Sequence, residues 1–357
     1  MKTIKEALTI LYSEILESYY TENEFKRLRC YKTFYEFIES QLDKFKLLCD
    51  EIDEEDIDRM FVDLGNFFIG KKSKKRFLNL LDKIVKNCLA ILQLAYKGDH
   101  FCAYKHLALL MGSKDNKFSK YPLGDYLVEG LQDYIEKGIE DGVTLYRMRD
   151  VKKEDKAPEN CWHVPFCIRK YASFQRYNMY GIPCLYLADS LETSNAELGP
   201  LDGNNNRWYA EFTPSHQNKF GDIAFYDFTI PTKKRINEED SYYRLFEWLI
   251  TYPLRLLCSV KVYDKGNFCE EYIFPQMIFH WVYFSGNGYL NGFKYSSTKN
   301  PGGVNYVFPA TYETKQPPTY NDKQISERLE KLFTASEPKL YKEGRNRKKY
   351  SIEITEL

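Results

Sequence analysis

Apolar residues recur at helical spacing through the first 140 residues of the chain. From Ile4 to Ile15 they repeat at intervals of three and four, which is the spacing of one buried helix face. Thr3 and Glu6 predict a capping box where this helix begins. Further runs with this spacing cover residues 24–49, 60–67, 77–92 and 101–111, with breaks expected at 70–76 and Gly98. The pattern predicts an all-helical domain over residues 1–140.

From Val143 onward the pattern changes to short apolar or alternating runs bounded by turn residues. Strands are predicted at 144–148, 184–188, 208–212, 223–228, 260–263 and 305–308. Helices are predicted between them at 190–198, 240–252 and 272–284. Because strands and helices do not alternate regularly, the pattern predicts an α+β domain over residues 141–315. The polar residues 316–357 predict a peripheral C-terminal helix and a basic tail.

Composition and charge narrow the class of protein. Hydrophobic residues make up 43% and charged residues 29% of the 357 positions, as in ordinary soluble domains. Lys and Arg number 51, as do Asp and Glu, so a net charge of zero argues against nucleic acid or an anionic membrane as partner. The nine cysteines contain no C-x-x-C pair, and no apolar run is long enough to span a bilayer. We therefore expect a cytoplasmic protein with reduced thiols.

The familiar catalytic motifs are absent from the sequence. It contains no G-x-x-x-x-G-K-[ST], G-x-G-x-x-G, H-E-x-x-H or G-x-S-x-G. The five histidines show no spacing that supports a Ser-His-Asp, Cys-His or metal site. His280 lies in an apolar run and is expected to be a core residue, which leaves His163, in CWHVPF, as the histidine worth following.

Polar residues of types that can take part in catalysis or ligand binding lie instead in four segments of the second domain. These segments are LYRMR with Arg147 and Arg149, QRYNMYGIPCLYLADS with Arg176, Tyr177 and Tyr186, SLETSNAELG with Glu192 and Glu197, and KYSSTKNPGGVNYVF with Ser296 and Ser297. Judged singly, each side chain is more often a surface charge, a strand aromatic or a turn hydroxyl than a functional group. Their order along the chain carries the information.

Taken in this order, the segments resemble the RES domain family, named for an Arg, a Glu and a Ser. The resemblance covers residues 143–312 and fits the longer members, which here would carry an N-terminal helical domain. It implies an α+β fold like that of the ADP-ribosyltransferases. It also implies degradation of NAD+ by cleavage of the nicotinamide–ribose bond, with transfer of the ADP-ribosyl group to phosphate or water, as in bacterial toxins of this family.

The resemblance also implies a set of site residues. Glu197, Arg147 and Tyr186 would be catalytic. The residues that would bind NAD+ are Arg176, Tyr177, Arg149 and, as the family Ser, either Ser297 or Ser296. NAD+ would be the substrate, and no metal and no further cofactor are implied.

The residue types suit this chemistry independently of the resemblance. The nicotinamide leaving group is a cationic pyridinium, so its departure needs no general acid, and one carboxylate can stabilise the oxocarbenium-like transition state. Glu197 provides that carboxylate, on a predicted helix directly after the strand that carries Tyr186. Arg147 and Arg176 offer paired donors to the pyrophosphate, and the tyrosine ring can stack on nicotinamide or ribose.

We therefore expect an NAD+-degrading toxin, of a toxin–antitoxin pair or of phage defence. Two alternatives remain open: a mono-ADP-ribosyltransferase that modifies a macromolecule, and a non-catalytic protein that binds a partner. The helical domain is expected to be regulatory, as a surface for an antitoxin or a trigger protein.

Overall fold

The fold combines helices with one large sheet. A computed structural model of the chain describes residues 1–20, 33–64, 71–112, 123–130, 143–178, 181–215, 223–262, 269–285, 290–311 and 324–342. Two compact units emerge: a helical unit with the described residues of 1–127 and 228–281, and a sheet unit with those of 128–227 and 282–352. The predicted α+β class is confirmed.

The described helices are α1 Ile4–Tyr20, α2 Phe34–Asp50, α3 Glu54–Asp63, α4 Lys71–Tyr96, α5 His100–Met111, α6 Leu191–Leu198, α7 Lys233–Glu238, α8 Tyr242–Ser259, α9 Ile273–Ser285 and α10 Glu327–Leu332. The described strands are β1 Val128–Gly130, β2 Leu145–Lys152, β3 Cys184–Ala188, β4 Asn205–Pro214, β5 Ala224–Phe228, β6 Leu290–Ser296, β7 Val304–Pro309, β8 Phe333–Ala335 and β9 Lys339–Leu340.

The helical unit is organised around α8, which is buried along most of its length. The hydroxyl of Tyr12 in α1 donates to the carbonyl of Trp248 at 2.7 Å, and Tyr252 stacks on Phe45 of α2 with ring centroids 4.9 Å apart. The predicted capping box at the start of α1 is confirmed, since Thr3 N donates to Glu6 Oε2 at 2.8 Å and Glu6 N to Thr3 Oγ1 at 3.2 Å.

Three local predictions were wrong. The basic residues 71–76 form the first turns of α4 and not a break, because they precede the apolar face of the same helix. Residues 260–262 form no strand; α8 runs on through Pro253 as far as Ser259 and ends at Val260. The third is the all-helical prediction for residues 1–140, because Val128–Gly130 forms the strand β1. The hydrophobic pattern also did not predict the strands β6, β8 and β9. The parts of predicted segments at 24–32, 65–70 and 263 lie outside the described residues.

The sheet unit holds a curled nine-stranded sheet. Its strand order is β1-β5-β6-β7-β3-β2-β4-β8, with β9 also paired to β4. Residues from one face of the sheet form the core together with α10, including Leu185, Phe212 and Phe308.

The sheet is nearly divided between β2 and β3. β2 pairs with β4 over eight residue pairs, from Leu145↔Phe212 to Lys152↔Asn205. β3 pairs with β7 over five, from Cys184↔Pro309 to Ala188↔Asn305. β2 and β3 share one pair, Tyr146↔Ala188. The strands therefore meet at this point and leave a gap beside the rest of β3.

The compact units differ from the continuous domains expected from the sequence. Residues 228–281 group with the N-terminal helices, although they lie inside the expected second domain. The C-terminal region also differs from a peripheral helix, because Leu329 and Leu332 of α10 and Phe333 of β8 join the core of the sheet unit. Hydrophobic burial accounts for both differences, because residues 245–259 of α8 are buried in the helical unit and the apolar residues of α10 and β8 are buried in the sheet unit. Among the helices in the described ranges, none combines the length and the apolar composition that crossing a bilayer requires.

Candidate functional site

The predicted carboxylate lies on α6, a helix of eight residues between β3 and β4. Ser190 begins this helix as its N-cap, with its hydroxyl accepting from Thr193 N at 3.1 Å. Gly199 ends it with a φ of 77°, a left-handed conformation that suits glycine. Glu197 therefore occupies the last turn, where it is half-buried, whereas Glu192 in the first turn is exposed.

Glu197 is held through one of its two carboxylate oxygens. Ser297 Oγ donates to Glu197 Oε1 at 2.7 Å, and Asn305 Nδ2 donates to the same oxygen at 2.7 Å. Oε2 accepts no hydrogen bond from any residue that the structure describes. The side chain is thus fixed in place through one oxygen, while the other has no hydrogen bond from a described residue.

The direction of the Ser297 hydrogen bond follows from its other partners. Its Oγ accepts from Lys299 N at 3.1 Å and from Asn300 N at 3.0 Å, so its own hydrogen is directed to Glu197. Ser297 is 1% exposed. Ser297 and not Ser296 is therefore the serine in contact with the carboxylate. Ser296 is half-buried at the end of β6, paired with Val304.

The loop after Ser297 packs closely on α6. Asn300 Nδ2 donates to Thr193 Oγ1 at 2.8 Å. A Cβ at Gly303 would lie 2.4 Å from the same Thr193 oxygen, so no larger residue fits there without movement. The Pro-Gly-Gly turn thus sets the approach of the serine to the helix that carries Glu197.

Arg147 occupies the gap beside β3. Its Nη1 donates to the main-chain carbonyl of Tyr186 at 3.1 Å, while its buried Nε has no partner among the described residues. Burial and the positive charge of Arg149 lower the pKa of Arg147 to about 10, so the side chain still carries its charge at neutral pH. The result is a half-buried cation whose buried Nε has unused donor capacity.

Tyr186 lies on the same sheet face as Asn305. Ala188 pairs with Asn305, and Tyr186, two residues earlier on β3, shares the face of Ala188. Its hydroxyl donates to Asn178 Oδ1 at 3.4 Å. The structure thus brings together Glu197 with Ser297, and Arg147 with the Tyr186 backbone. Because Tyr146 pairs with Ala188, its neighbour Arg147 lies on the opposite face of the sheet from Tyr186 and Asn305, and among the described residues no hydrogen bond or ion pair joins Arg147 to Glu197.

The other residues that were expected to bind NAD+ lie in surroundings that differ from one another. Tyr177 is buried and packs on Phe293 and Tyr295, with ring centroids 5.2 and 4.9 Å away, so it acts as a core aromatic here. Arg176 is buried, at 8% exposure. Arg149 is exposed, and its Nη1 donates to the carbonyl of Asn160 at 3.1 Å.

His163 is a structural residue. It is 1% exposed, its Nδ1 donates to the carbonyl of Val164 at 2.7 Å, and its Nε2 accepts from Ser326 N at 3.0 Å. Both ring nitrogens are therefore used by the neutral tautomer. Burial, opposed by the Val164 bond and assisted by the charge of Arg147, lowers its pKa to about 4.

Sequence reasoning missed Asn305, which contributes half of the support for Glu197. It lies in a strand whose apolar pattern was recognised, and no local signal distinguishes its amide from other strand polar groups. In the part of the chain that the structure describes, no three His, Cys, Asp or Glu side chains come together as a set of metal ligands.

Comparison with known proteins adds one relationship. No family model matches the chain, and no solved structure gives a significant match. The chain is similar to a curated protein of Bacillus subtilis (strain 168) named "Putative toxin YopC", with 28% identity over 207 residues. These residues are 55% of this chain and 45% of that protein, so the chain spans less than half the length of this relative. The RES resemblance and the ADP-ribosyltransferase-like form of the α+β fold stay predictions.

Proposed function

We propose that the chain cleaves the nicotinamide–ribose bond of NAD+ and acts as a toxin. The observation that carries this proposal is the Glu197 carboxylate, which is anchored through Oε1 by Ser297 and Asn305 and has no hydrogen bond to Oε2 from a described residue. A carboxylate so held can accept a ribose hydroxyl and face a developing positive charge without first having to reorganise.

The reaction balances with water as acceptor. The bond between the ribose anomeric carbon and the pyridinium nitrogen breaks, and nicotinamide leaves as a neutral molecule with the bonding electron pair. Glu197 stabilises the cation-like ribosyl centre, and water adds to it and releases one proton, giving ADP-ribose. Inorganic phosphate in place of water gives a phosphorylated ADP-ribose.

Arg147 is assigned to the pyrophosphate. It is a half-buried cation at the gap beside β3, with a buried, unused Nε–H and a neighbouring cation, Arg149, on the same strand. Two strand residues separated by one position share a face, and guanidinium groups offer paired donors to phosphate oxygens. The Tyr186 ring, on the face that holds Asn305, is assigned to stacking on nicotinamide or ribose.

The toxin role is supported by the similarity to the Bacillus subtilis protein whose name describes it as a toxin. Depletion of NAD+ in the cytoplasm would arrest the growth of the cell that contains the protein. An antitoxin or trigger protein that binds the helical unit would then control the activity. Neither NAD+ cleavage nor this control is part of what the relative's name states.

The test is an assay of the purified full chain with NAD+, with and without inorganic phosphate. Release of nicotinamide together with ADP-ribose or its phosphorylated form is the expected result. Label transferred from NAD+ to protein or nucleic acid would instead identify a macromolecular ADP-ribosyltransferase. Absence of nicotinamide release would contradict the proposal and favour a binding protein. In bacteria that express the chain, NAD+ should fall before growth stops.

A further inference from the structure

The last turn of α6 is held by one buried guanidinium. Arg207, on β4, is 2% exposed. Its Nη1 donates to Asn195 Oδ1 at 2.5 Å, to the Gly199 carbonyl at 3.0 Å and, more weakly, to the Asn195 carbonyl at 3.4 Å. Carbonyls at the end of a helix lack partners within the helix, and a cation there also opposes the negative end of the helix dipole.

The same guanidinium is fixed on its other side by a carboxylate. Nε donates to Asp150 Oδ1 at 2.7 Å and Nη2 to Asp150 Oδ2 at 2.8 Å. Asp150 is the cross-strand partner of Arg207 on β2. This paired geometry orients the planar group and leaves it little freedom.

The two contact points on α6 enclose Glu197. Asn195 precedes it by two residues and Gly199 follows it by two. Arg207 therefore fixes the backbone segment that carries Glu197, while Ser297 and Asn305 fix its carboxylate.

We propose that Arg207 is a positioning residue, which sets where the Glu197 carboxylate lies relative to bound substrate. This inference rests on the proposed NAD+ cleavage. A lysine retains the charge but lacks the planar fork, and it cannot reach Asp150, Asn195 and Gly199 together.

The test measures nicotinamide release by the full-length chain carrying Arg207→Lys. We expect kcat to fall by about 10²-fold, as for a misplaced catalytic group, with KM for NAD+ changed far less. Arg255→Lys is the matched control, because Arg255 is equally buried, at 2% exposure, but lies in the helical unit. A merely structural role for Arg207 predicts that both variants lose stability and that neither loses kcat.

Two further variants keep the test decisive if Arg207→Lys folds poorly. Asn195→Ala removes one acceptor and leaves the Asp150 pair intact, and it should lower kcat by about tenfold. Asn195→Asp, whose carboxylate still accepts from Arg207, should restore most of the loss. Wild-type kcat in Asn195→Ala would contradict the positioning role.

A double variant locates the effect at Glu197. If Arg207 acts through this carboxylate, adding Arg207→Lys or Asn195→Ala to Glu197→Gln should slow the reaction by no more than about twofold further. Fully multiplied losses would contradict the inference. A wild-type chain that releases no nicotinamide overturns the proposed function and this inference with it, whereas an active wild type with wild-type kcat in the variants overturns the inference alone.

Discussion

Arg255 of the helical unit and Arg147 of the sheet unit both place guanidinium atoms away from solvent, and their charges are compensated differently. In the helical unit, Arg255 is 2% exposed. Its Nε donates to Thr251 Oγ1 at 3.0 Å and its Nη1 to the Thr229 carbonyl. Its Nη2 lies 3.8 Å from Glu247 Oε1. This cation is neutralised and bonded by its own unit.

In the sheet unit, Arg147 has one hydrogen bond and a buried Nε without a partner. Within the described ranges no carboxylate lies at ion-pair distance from it. A buried cation without a carboxylate costs free energy of folding, and such sites are typical of places where an anionic ligand binds. Compensation of the guanidinium charge by protein groups, more than burial, therefore separates a structural arginine from one that binds a ligand.

Arg255→Met tests whether the compensated arginine has a structural role. The change leaves Glu247 buried, with Arg244 as its remaining partner at 2.7 Å. We expect the free energy of unfolding to fall by about 3 kcal/mol, because a buried pair loses one member, while KM for NAD+ stays unchanged. Urea unfolding and nicotinamide release measure the two quantities. An altered KM with unaltered stability would place Arg255 with the ligand-binding arginines instead.

Glu197→Gln tests the charge in the sheet unit. The amide oxygen can still accept from Ser297 and Asn305, so folding should survive, but the negative charge is lost. We expect kcat for nicotinamide release to fall by about 10²–10³-fold, as for other pre-organised electrostatic groups. In bacteria, the same change should relieve growth arrest.

Glu192→Gln is the matched control for this change. Glu192 belongs to the same helix, five residues earlier, and is exposed. It should retain wild-type turnover, because five positions on a helix point to different sides. Loss of turnover in Glu192→Gln with full turnover in Glu197→Gln would show that Glu192, and not Glu197, supplies the catalytic carboxylate.

Arg147→Ala tests the opposite expectation, that the uncompensated arginine binds a ligand and contributes little to stability. Because its charge is uncompensated, its removal should leave the free energy of unfolding nearly unchanged. The affinity for NAD+ should fall, since a charge-assisted contact contributes about 1.5–3 kcal/mol, or one to two decades in KM. An unchanged KM accompanied by a reduced kcat would refute the assignment to the pyrophosphate.

The smallest expected effect is a pH dependence of stability that arises from His163. Its folded pKa of about 4 lies below the usual value of 6.5, so the unfolded chain binds the proton more tightly. Stability is therefore complete above pH 6.5 and is lost as the pH falls toward 4, with about 1 kcal/mol lost at pH 6.

Urea unfolding at pH 7.5 and pH 6 measures this loss, with His163→Asn as the control that does not titrate. The variant should show a smaller difference between the two pH values, whatever its absolute stability. Equal differences in the variant and the wild type would show that other groups cause the pH dependence.

Much of the fold could be predicted because its signals are local. The helical spacing from Ile4, the capping pair Thr3 and Glu6, and the short apolar run of β3 each depend on near neighbours in sequence. The strand β6 escaped prediction because its polar and apolar residues alternate irregularly, and pairing to β7 stabilises it. Residues 228–281 were expected in the second domain but group with the N-terminal helices. The reason is related, since sequence order does not show which hydrophobic core a helix joins.

The candidate site divides in the same way. Local sequence is enough to place Glu197 after a strand, on a short helix that begins after Ser190 and ends at Gly199. What holds the carboxylate depends on the folded sheet, because Ser297 and Asn305 are 100 and 108 positions away. Contacts at such separation depend on strand register and on the close packing of the turn at Gly303, and both are set by the whole sheet rather than by any local pattern.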